Sequence, residues 1–477
     1  MTGRLARPHI PAGWVDHGPT RAVHSPSRPA DIVGDVVDIS ADEASAAISA
    51  SVRTAADWRR MPIGARAAIL RDASSTLRAE AADLALLIAR ETGKPVREAR
   101  GEVIRAADIL LYAASEATRS QAEVFAGATA HQEVMVIRRP VGTVAVITPW
   151  NFPLAIPAWK IAPALVHGNT VAWKPSPYAS LTATRLLEIL LQHGLPAGVV
   201  SLLHGGADVG AALSRHAEID ALTFTGSTAV GRTLVAASAA RGVAVQAELG
   251  GKNTVLVWRD ADVSAAIAGV AAGAFSGNGQ KCTATSRVVV HPEVLDRFRD
   301  ELARHMRDLV VGVADDERTD VGPLIDEAAQ QRLTRAIDAA VDRGELIAQS
   351  ALDPALDGWF VPPTAVYVAE PAGTAWTDEL FGPLVVVTAT DDLHAALALI
   401  TDTEFGLAAA VYTQDRALIR RVIAELPVGM LSINEPTTGG YPYVPFGGWR
   451  ASGYGPREQG EEARAFYTRT KTVHIGA

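Results

Sequence analysis

From about residue 133 onward, strand-like and helix-like segments alternate, and this rhythm constrains the fold more than any other feature of the chain. "EVMVIRRPVGTVAVITPW" is rich in β-branched residues, and the break at Pro140–Val141–Gly142 splits it into two strands. "NTVAWKPS" precedes the helical pattern "LTATRLLEILLQHG", and "VVSLLHG" follows as a strand. "DALTFTGS" then feeds the helix "TAVGRTLVAASAARG". Strand followed by helix, repeatedly, implies a mostly parallel sheet with helices on both faces. A second α/β block runs from about 251 to 439. It holds "KNTVLVW", the helix "VSAAIAGVAAGAF", the strand "SRVVVHP", a helical run over 293–309, and the later strands "PLVVVTAT", "AAAVYT" and "GMLSINEP".

Ahead of the alternation, residues 41–119 space apolar side chains three and four apart, as amphipathic helices do. Gly93 and Pro95 close one of these helices. The first 30 residues, rich in proline, are expected to be the least ordered part. The tail "RAFYTRTKTVHIG" reads as a strand beyond a Gly-rich loop.

A chain of 477 residues has room for two or three domains. Its net charge of −9 is diffuse, which argues against a nucleic-acid surface. No apolar run suits a signal peptide or a membrane span, so no membrane partner is expected. The one cysteine forms no internal disulfide and supplies no zinc site alone, so no metal is expected and a reducing cytoplasm is the simplest location. These features together predict a soluble intracellular enzyme.

That cysteine, Cys282, lies in "NGQKCTATSR" among small and polar residues rather than in an apolar stripe. Buried structural cysteines sit in apolar patterns, yet on local grounds a packed thiol and a nucleophile fit Cys282 equally well. A nucleophile needs backbone donors, positive potential or a nearby base. Glu248 in "QAELGGKN" and Glu379 in "TDELFGPL" are candidate bases, each beside glycines that allow close backbone approach. A solvated carboxylate at an element end is the plainer reading of either. In "FTGSTAVG" a glycine turn opens a helix, a seat for phosphate or simply a serine-capped turn. "TPWNFPLAIPAWK" reads as a proline-stiffened loop that presents Asn151 as a donor or as a backbone cap. "WKPSPY" puts Lys174 at a strand's carboxyl end, where α/β folds bind ligands.

In order, "TPWNFP", "WKPS", "FTGSTAVG", "ELGGKN", "GQKC", "ELFGP" and "PFGGWRASGYG" resemble the NAD(P)-dependent aldehyde dehydrogenase superfamily. The spacing matches as well: Cys282 follows Glu248 by 34 residues, and Glu379 follows Cys282 by 97. The resemblance implies a Rossmann-type cofactor domain (1–119 and 141–250), an α/β catalytic domain (251–439) and a small β oligomerisation arm (120–140 and 440–477). Such enzymes assemble as homodimers or homotetramers. It implies that Cys282 attacks the aldehyde carbonyl, that the Asn151 amide and the Cys282 backbone N–H face the oxyanion, and that Glu248 activates the hydrolytic water. For the cofactor, NADP or NAD, it assigns Lys174 to the adenosine ribose, Gly226 and Ser227 to the pyrophosphate, and Glu379 to the nicotinamide ribose with Phe381 near the ring. Trp150, Ser176, Pro177, Gly206, Phe224, Gly231 and Leu249 complete the implied cofactor cleft.

Pro177 departs from the pattern, because many NAD-preferring members carry a glutamate there that bonds the ribose hydroxyls. Without that charge a 2′-phosphate meets no repulsion, and NADP is expected to serve at least as well as NAD. "PLAIPAWKIAPAL", "GQKCTATSR" and "SGYGPREQG" are most similar to 2,5-dioxopentanoate (α-ketoglutarate semialdehyde) dehydrogenases. Succinate semialdehyde dehydrogenases typically carry an arginine eight residues after the motif asparagine. Trp159 stands there instead, as a pocket wall or as core. Another semialdehyde, an aliphatic aldehyde or an aromatic one remain alternative substrates. A non-catalytic aldehyde-dehydrogenase-like binding protein, or an esterase using the same thiol, are alternatives of another class.

Overall fold

The computed structural model describes residues 4–129 and 131–476. Two large sheets carry the molecule. In the first, five parallel strands run in the order Ala244–Glu248, Ala221–Thr225, Thr143–Thr148, Thr170–Pro175 and Val200–Leu202. The chain starts in the middle strand, moves outward through 170–175 and 200–202, then crosses back to the other side at 221–225. That reversal is a topological switch point, the place where open α/β sheets bind ligands. Strands 143–148 and 170–175 are buried at every position, because helices cover both faces.

The second sheet places Glu345–Gln349, Thr364–Tyr367, Leu384–Ala389, Thr285–Val290, Asn253–Val257, Ala408–Tyr412 and Met430–Ile433 side by side. Only the 345–349 edge is antiparallel. A separate antiparallel sheet joins Ala122–Ala126, Glu133–Pro140 and Thr468–Ile475. The helices Ala41–Arg60, Ile63–Ala79, Ala81–Thr92 and Val96–Ser115 account for the amphipathic stretch. The first of them begins at a reciprocal cap. Ser40 Oγ accepts from the Glu43 N–H at 3.2 Å, and the Glu43 carboxylate accepts from the Ser40 N–H at 2.8 Å.

Three expectations need correction. Residues 4–30 are ordered, residues 1–3 of that expectation lying outside the described residues: Arg4–Ala6 and Thr20–Ser25 pair with Arg28–Val37, and His9–Ile10 extends the first sheet beside Val200–Leu202. Val15, Val23, Val33 and Val36 are buried there, and this burial outweighs the proline content. The stiff loop around Asn151 is shorter than expected, because Ala155–Val166 is helical. Pro157 lies in its first turn, where a missing N–H breaks no helical bond. In the tail, Gly460–Tyr467 is a helix with Glu461 and Glu462 in its first turn, and only Thr468–Ile475 is a strand. Residues 440–467 also lie partly on the first sheet, since Gly453–Tyr454 pairs with Ala247 and Glu248.

A buried carboxylate anchors the helix that follows Lys174. Glu91 accepts hydrogen bonds from Leu181 N (2.6 Å), Thr182 N (3.0 Å) and Thr182 Oγ1 (2.6 Å) at the start of Ser180–Gln192. Burial nevertheless pushes its pKa up to about 7. Glu91→Ala leaves these donors unpaired and should cost about 2–4 kcal/mol. Hydrogen exchange should then accelerate at the Leu181 and Thr182 amides; unchanged protection there would contradict this anchoring.

Candidate active site

The carboxyl ends of the first sheet's strands face the amino ends of the second sheet's strands. From the first sheet come Pro149–Asn151 after 143–148, Thr225–Ser227 after 221–225, and Leu249–Gly250 after 244–248. From the second come Cys282, just before 285–290, and Glu379 and Phe381, just before 384–389. Arg332, on the helix Glu327–Val341, completes the lining of a cavity of about 350 Å³ between them. Trp150, Asn151, Gly226, Ser227, Leu249, Cys282, Glu379 and Phe381 thus converge, although they are far apart in the chain.

The loop that carries Cys282 is held from behind. Gly277, Asn278 and Gly279 all take left-handed backbone conformations, with φ of 60°, 60° and 66°. For Asn278 this strain is offset by its fully buried amide, which donates to Gly93 O and Pro323 O and accepts from Gly322 N. A Cβ on Gly279 would lie 2.3 Å from the Gly382 carbonyl carbon, so a side chain there would push the two loops apart. Asn151 Nδ2 donates to Gln280 O at 3.0 Å, which sets the amide beside the nucleophile's loop. Asn253 Nδ2 donates to Cys282 O at 2.8 Å.

The electrostatics favour neutral forms. Burial, then the carboxylates of Glu379, Glu248 and Glu458, push the Cys282 thiol up to about 12, against the pull of the Thr283 N–H. Glu379 rises to about 7 through burial, although its Oε1 accepts from Gly251 N at 3.0 Å. Burial, reinforced by Glu458, raises Glu248 well above the usual carboxylate range. Its carboxylate is turned toward the Gly447–Gly448 turn, where it accepts from Gly448 N at 3.0 Å, and it does not line the cavity. Behind it, Lys160 Nζ pairs with Glu458 and donates to Thr223 Oγ1 at 2.9 Å. Glu248, Glu458 and Lys160 therefore form one buried charge cluster. Only Glu248 of the three stood out in the sequence; Lys160 and Glu458 are 298 residues apart, and no local pattern links them.

The remaining cofactor candidates sit further along the same sheet edge. Lys174 lies at the carboxyl end of strand 170–175 and Ser176 follows it, while Gly206 caps the helix Ala207–Arg215 after strand 200–202. The Lys174 ammonium is buried, donates to Pro175 O at 3.0 Å, and is lowered by burial to about 8. Gly231 stands against Leu249: a Cβ would come within 2.2 Å of its side chain. Phe224 packs under Gly226, where a Cβ would lie 2.6 Å from the ring. Phe381, at φ 56°, meets Trp150 edge-on with ring centroids 5.7 Å apart. Trp159 is buried outside this cavity, against Phe446 at 5.5 Å.

These residues fit a dinucleotide. Thr225 Oγ1 faces the cleft, buried and without a partner. Ser227 precedes the 12-residue helix Thr228–Ala239 but makes no capping bond, leaving that helix's first N–H groups open to a phosphate. Among the described residues, no cluster of three or more His, Cys, Asp or Glu side chains is arranged to hold a metal ion. No described helix is long and apolar enough to cross a membrane.

Residues 14–473 match the aldehyde dehydrogenase family. The chain is 36% identical to the alpha-ketoglutaric semialdehyde dehydrogenase of Bacillus subtilis, over 97% of this chain and 96% of the relative. It is 34% identical to the 2,5-dioxopentanoate dehydrogenase of Saccharolobus solfataricus, over 91% and 92%. Among solved structures, an aldehyde dehydrogenase from Brucella melitensis biovar abortus superposes with a TM-score of 0.94 at 34% identity, covering 99% of this chain and 97% of that one. The match takes in both sheets and both walls of the cleft between them, and the chain therefore belongs to the aldehyde dehydrogenase family, as an NAD(P)-dependent enzyme.

Proposed function

We propose that this enzyme oxidises 2,5-dioxopentanoate to 2-oxoglutarate through a covalent intermediate on Cys282. The observation that carries the mechanism is the convergence of the only thiol and the Asn151 amide on one cavity. The printed names of the Bacillus and Saccharolobus relatives support the substrate.

In this reading the Cys282 Sγ bonds to the aldehyde carbon as its proton passes to Glu248. The carbonyl oxygen becomes an oxyanion that accepts from Asn151 Nδ2 and the Cys282 N–H. Bound NAD or NADP supplies the two-electron acceptor that makes the thiohemiacetal a thioester. Glu248, having released that proton to solvent, swings from Gly448 and takes a proton from water. The hydroxide breaks the C–S bond, and the acid leaves as the thiol is restored. Lys174 and Ser176 would hold the adenosine ribose, Gly226 and Ser227 the pyrophosphate, and Glu379 the nicotinamide ribose.

Two features support good use of NADP. Pro177 places no carboxylate at the ribose, and its carbonyl accepts from Arg21 Nη1 at 3.0 Å, which brings a guanidinium near Lys174. Asp38, paired with Arg21 at 3.0 Å, offsets part of that charge. The antiparallel sheet of 122–126, 133–140 and 468–475 is read as the arm that bridges copies. Val124 (74% exposed), Phe125 and Ile475 are apolar and uncovered on it. A reducing cytoplasm, which keeps the thiol free, is the proposed location.

An initial-rate panel should show 2,5-dioxopentanoate oxidised with a higher kcat/KM than succinate semialdehyde, aliphatic or aromatic aldehydes; no turnover with any of them would overturn the enzyme reading. Cys282→Ala should abolish dehydrogenase and esterase activity together. Glu248→Gln should keep a burst of reduced cofactor but lose steady turnover, and in the wild type the acid limb of kcat should lie above the ordinary carboxylate range. The sign follows from the base having to be ionised to work. With NADP, kcat/KM should at least equal that with NAD, and Pro177→Glu should shift the ratio toward NAD by about tenfold, as one like-charge contact would. A strong NAD preference in the wild type would refute this reading of Pro177. Light scattering should give a dimer or tetramer of the 50.1 kDa chain; a monomer mass would rule out the bridging arm.

A further inference from the structure

One half-buried cation has no partner among the described residues. Arg105 lies on the helix Val96–Ser115, is mostly shielded from solvent, and makes no hydrogen bond or ion pair among the described residues. Its Nε is fully buried and unpartnered. A guanidinium carries five N–H donors, and leaving them unpaired away from water is costly. The carboxylates on the same helix are committed elsewhere. Glu102 pairs with Lys94 and accepts from Leu154 N (2.9 Å) and Ala155 N (3.1 Å). Glu98 accepts from Gly277 N at 2.7 Å and pairs with Lys281 at 3.4 Å.

The Arg105 Cζ stands 5.9 Å from the ring centroid of Trp159, a cation–π contact that compensates only part of the lost hydration. Gly440 leaves room on another side, since a Cβ there would stand 3.0 Å from Arg105 Nη2. The helix that carries Arg105 abuts the active site at two points, because Glu98 holds the Cys282 loop at Gly277 and Glu102 holds the segment just after Asn151. Arginine pairs with carboxylates through two parallel N–H···O bonds, and a free, partly desolvated guanidinium is poised for such a pair.

We infer that Arg105 is the cation that recognises the carboxylate of the aldehyde substrate. This rests on the reading that the substrate is a carboxylate-bearing aldehyde. Trp159 occupies the position where succinate semialdehyde dehydrogenases typically place their arginine. Here the positive charge comes from a different helix and reaches over that tryptophan.

The test compares 2,5-dioxopentanoate with pentanal, a neutral aldehyde of the same chain length, in wild type, Arg105→Gln and Arg105→Lys. Arg105→Gln should reduce the kcat/KM ratio of the acid to the neutral aldehyde by about 30-fold or more, mainly through KM, as loss of one partner of a buried charge pair does. Arg105→Lys should restore part of it. Glutarate, as a competitive inhibitor against pentanal, should lose affinity for Arg105→Gln by a similar factor. Equal proportional losses for both aldehydes with an unchanged glutarate inhibition constant would overturn the assignment, leaving Arg105 a structural group or an influence on the thiol. If the wild type prefers pentanal to every carboxylate-bearing aldehyde, the substrate reading fails. The glutarate arm still decides whether Arg105 forms an anion site, because a dicarboxylate probes that site whichever aldehyde is turned over.

Discussion

A single buried amide, that of Asn253, fixes the loop that carries Cys282. Its Nδ2 donates to Cys282 O at 2.8 Å and to Ala284 O at 2.9 Å, while its Oδ1 accepts from Ala408 N at 3.0 Å. The nucleophile's loop is thereby locked to the middle of the second sheet. The residues before Asn253 join that sheet to the first. Gly251 passes so close to Cys282 that a Cβ would lie 2.7 Å from its carbonyl oxygen, and its N–H holds Glu379. Lys252 donates to Ala375 O and Asp378 O, fixing the turn from which Glu379 projects. The short run "ELGGKN" therefore carries a buried acid, a close crossing and two anchors in succession, and the cleft exists because they are adjacent.

The cleft's chemistry follows from how its charges are buried. Arg287, fully buried, donates to Thr254 Oγ1, Asp402 O, Lys252 O and Ile400 O and packs on Trp376, so its charge is satisfied and serves structure. Lys160 and Glu458 neutralise each other behind Glu248. Among the described residues no cation pairs directly with Glu248, and burial, reinforced by Glu458, raises its proton affinity. Saturated charges hold the scaffold in place, and unsaturated ones are available to react or to bind a ligand.

Much of this was legible in the residues. The alternation after residue 133 predicted parallel sheets, because a strand covered on both faces loses its polar positions, as Thr143–Thr148 and Thr170–Pro175 have. Residues that act through their own loop could also be located, including Cys282, Asn151 and Glu379. The ordered N-terminus was not legible, since strands of two or three residues such as His9–Ile10 are too short to show a period. Nor was the helix inside "TPWNFPLAIPAWK", because proline in a first turn looks the same in sequence as proline in a loop.

The sequence by itself determined the fold class and the family, because each rests on local pattern or on motif spacing along the chain. Only the tertiary structure decided which charges are paired. Arg105 and Arg287 are indistinguishable as letters, and Glu102 and Glu248 are both acids near apolar runs. Pairing is a property of three-dimensional neighbours, often hundreds of residues apart, and dielectric burial turns that property into reactivity. The thiol's surroundings, the ion pair behind Glu248 and the unpartnered guanidinium beyond Trp159 all come from that level.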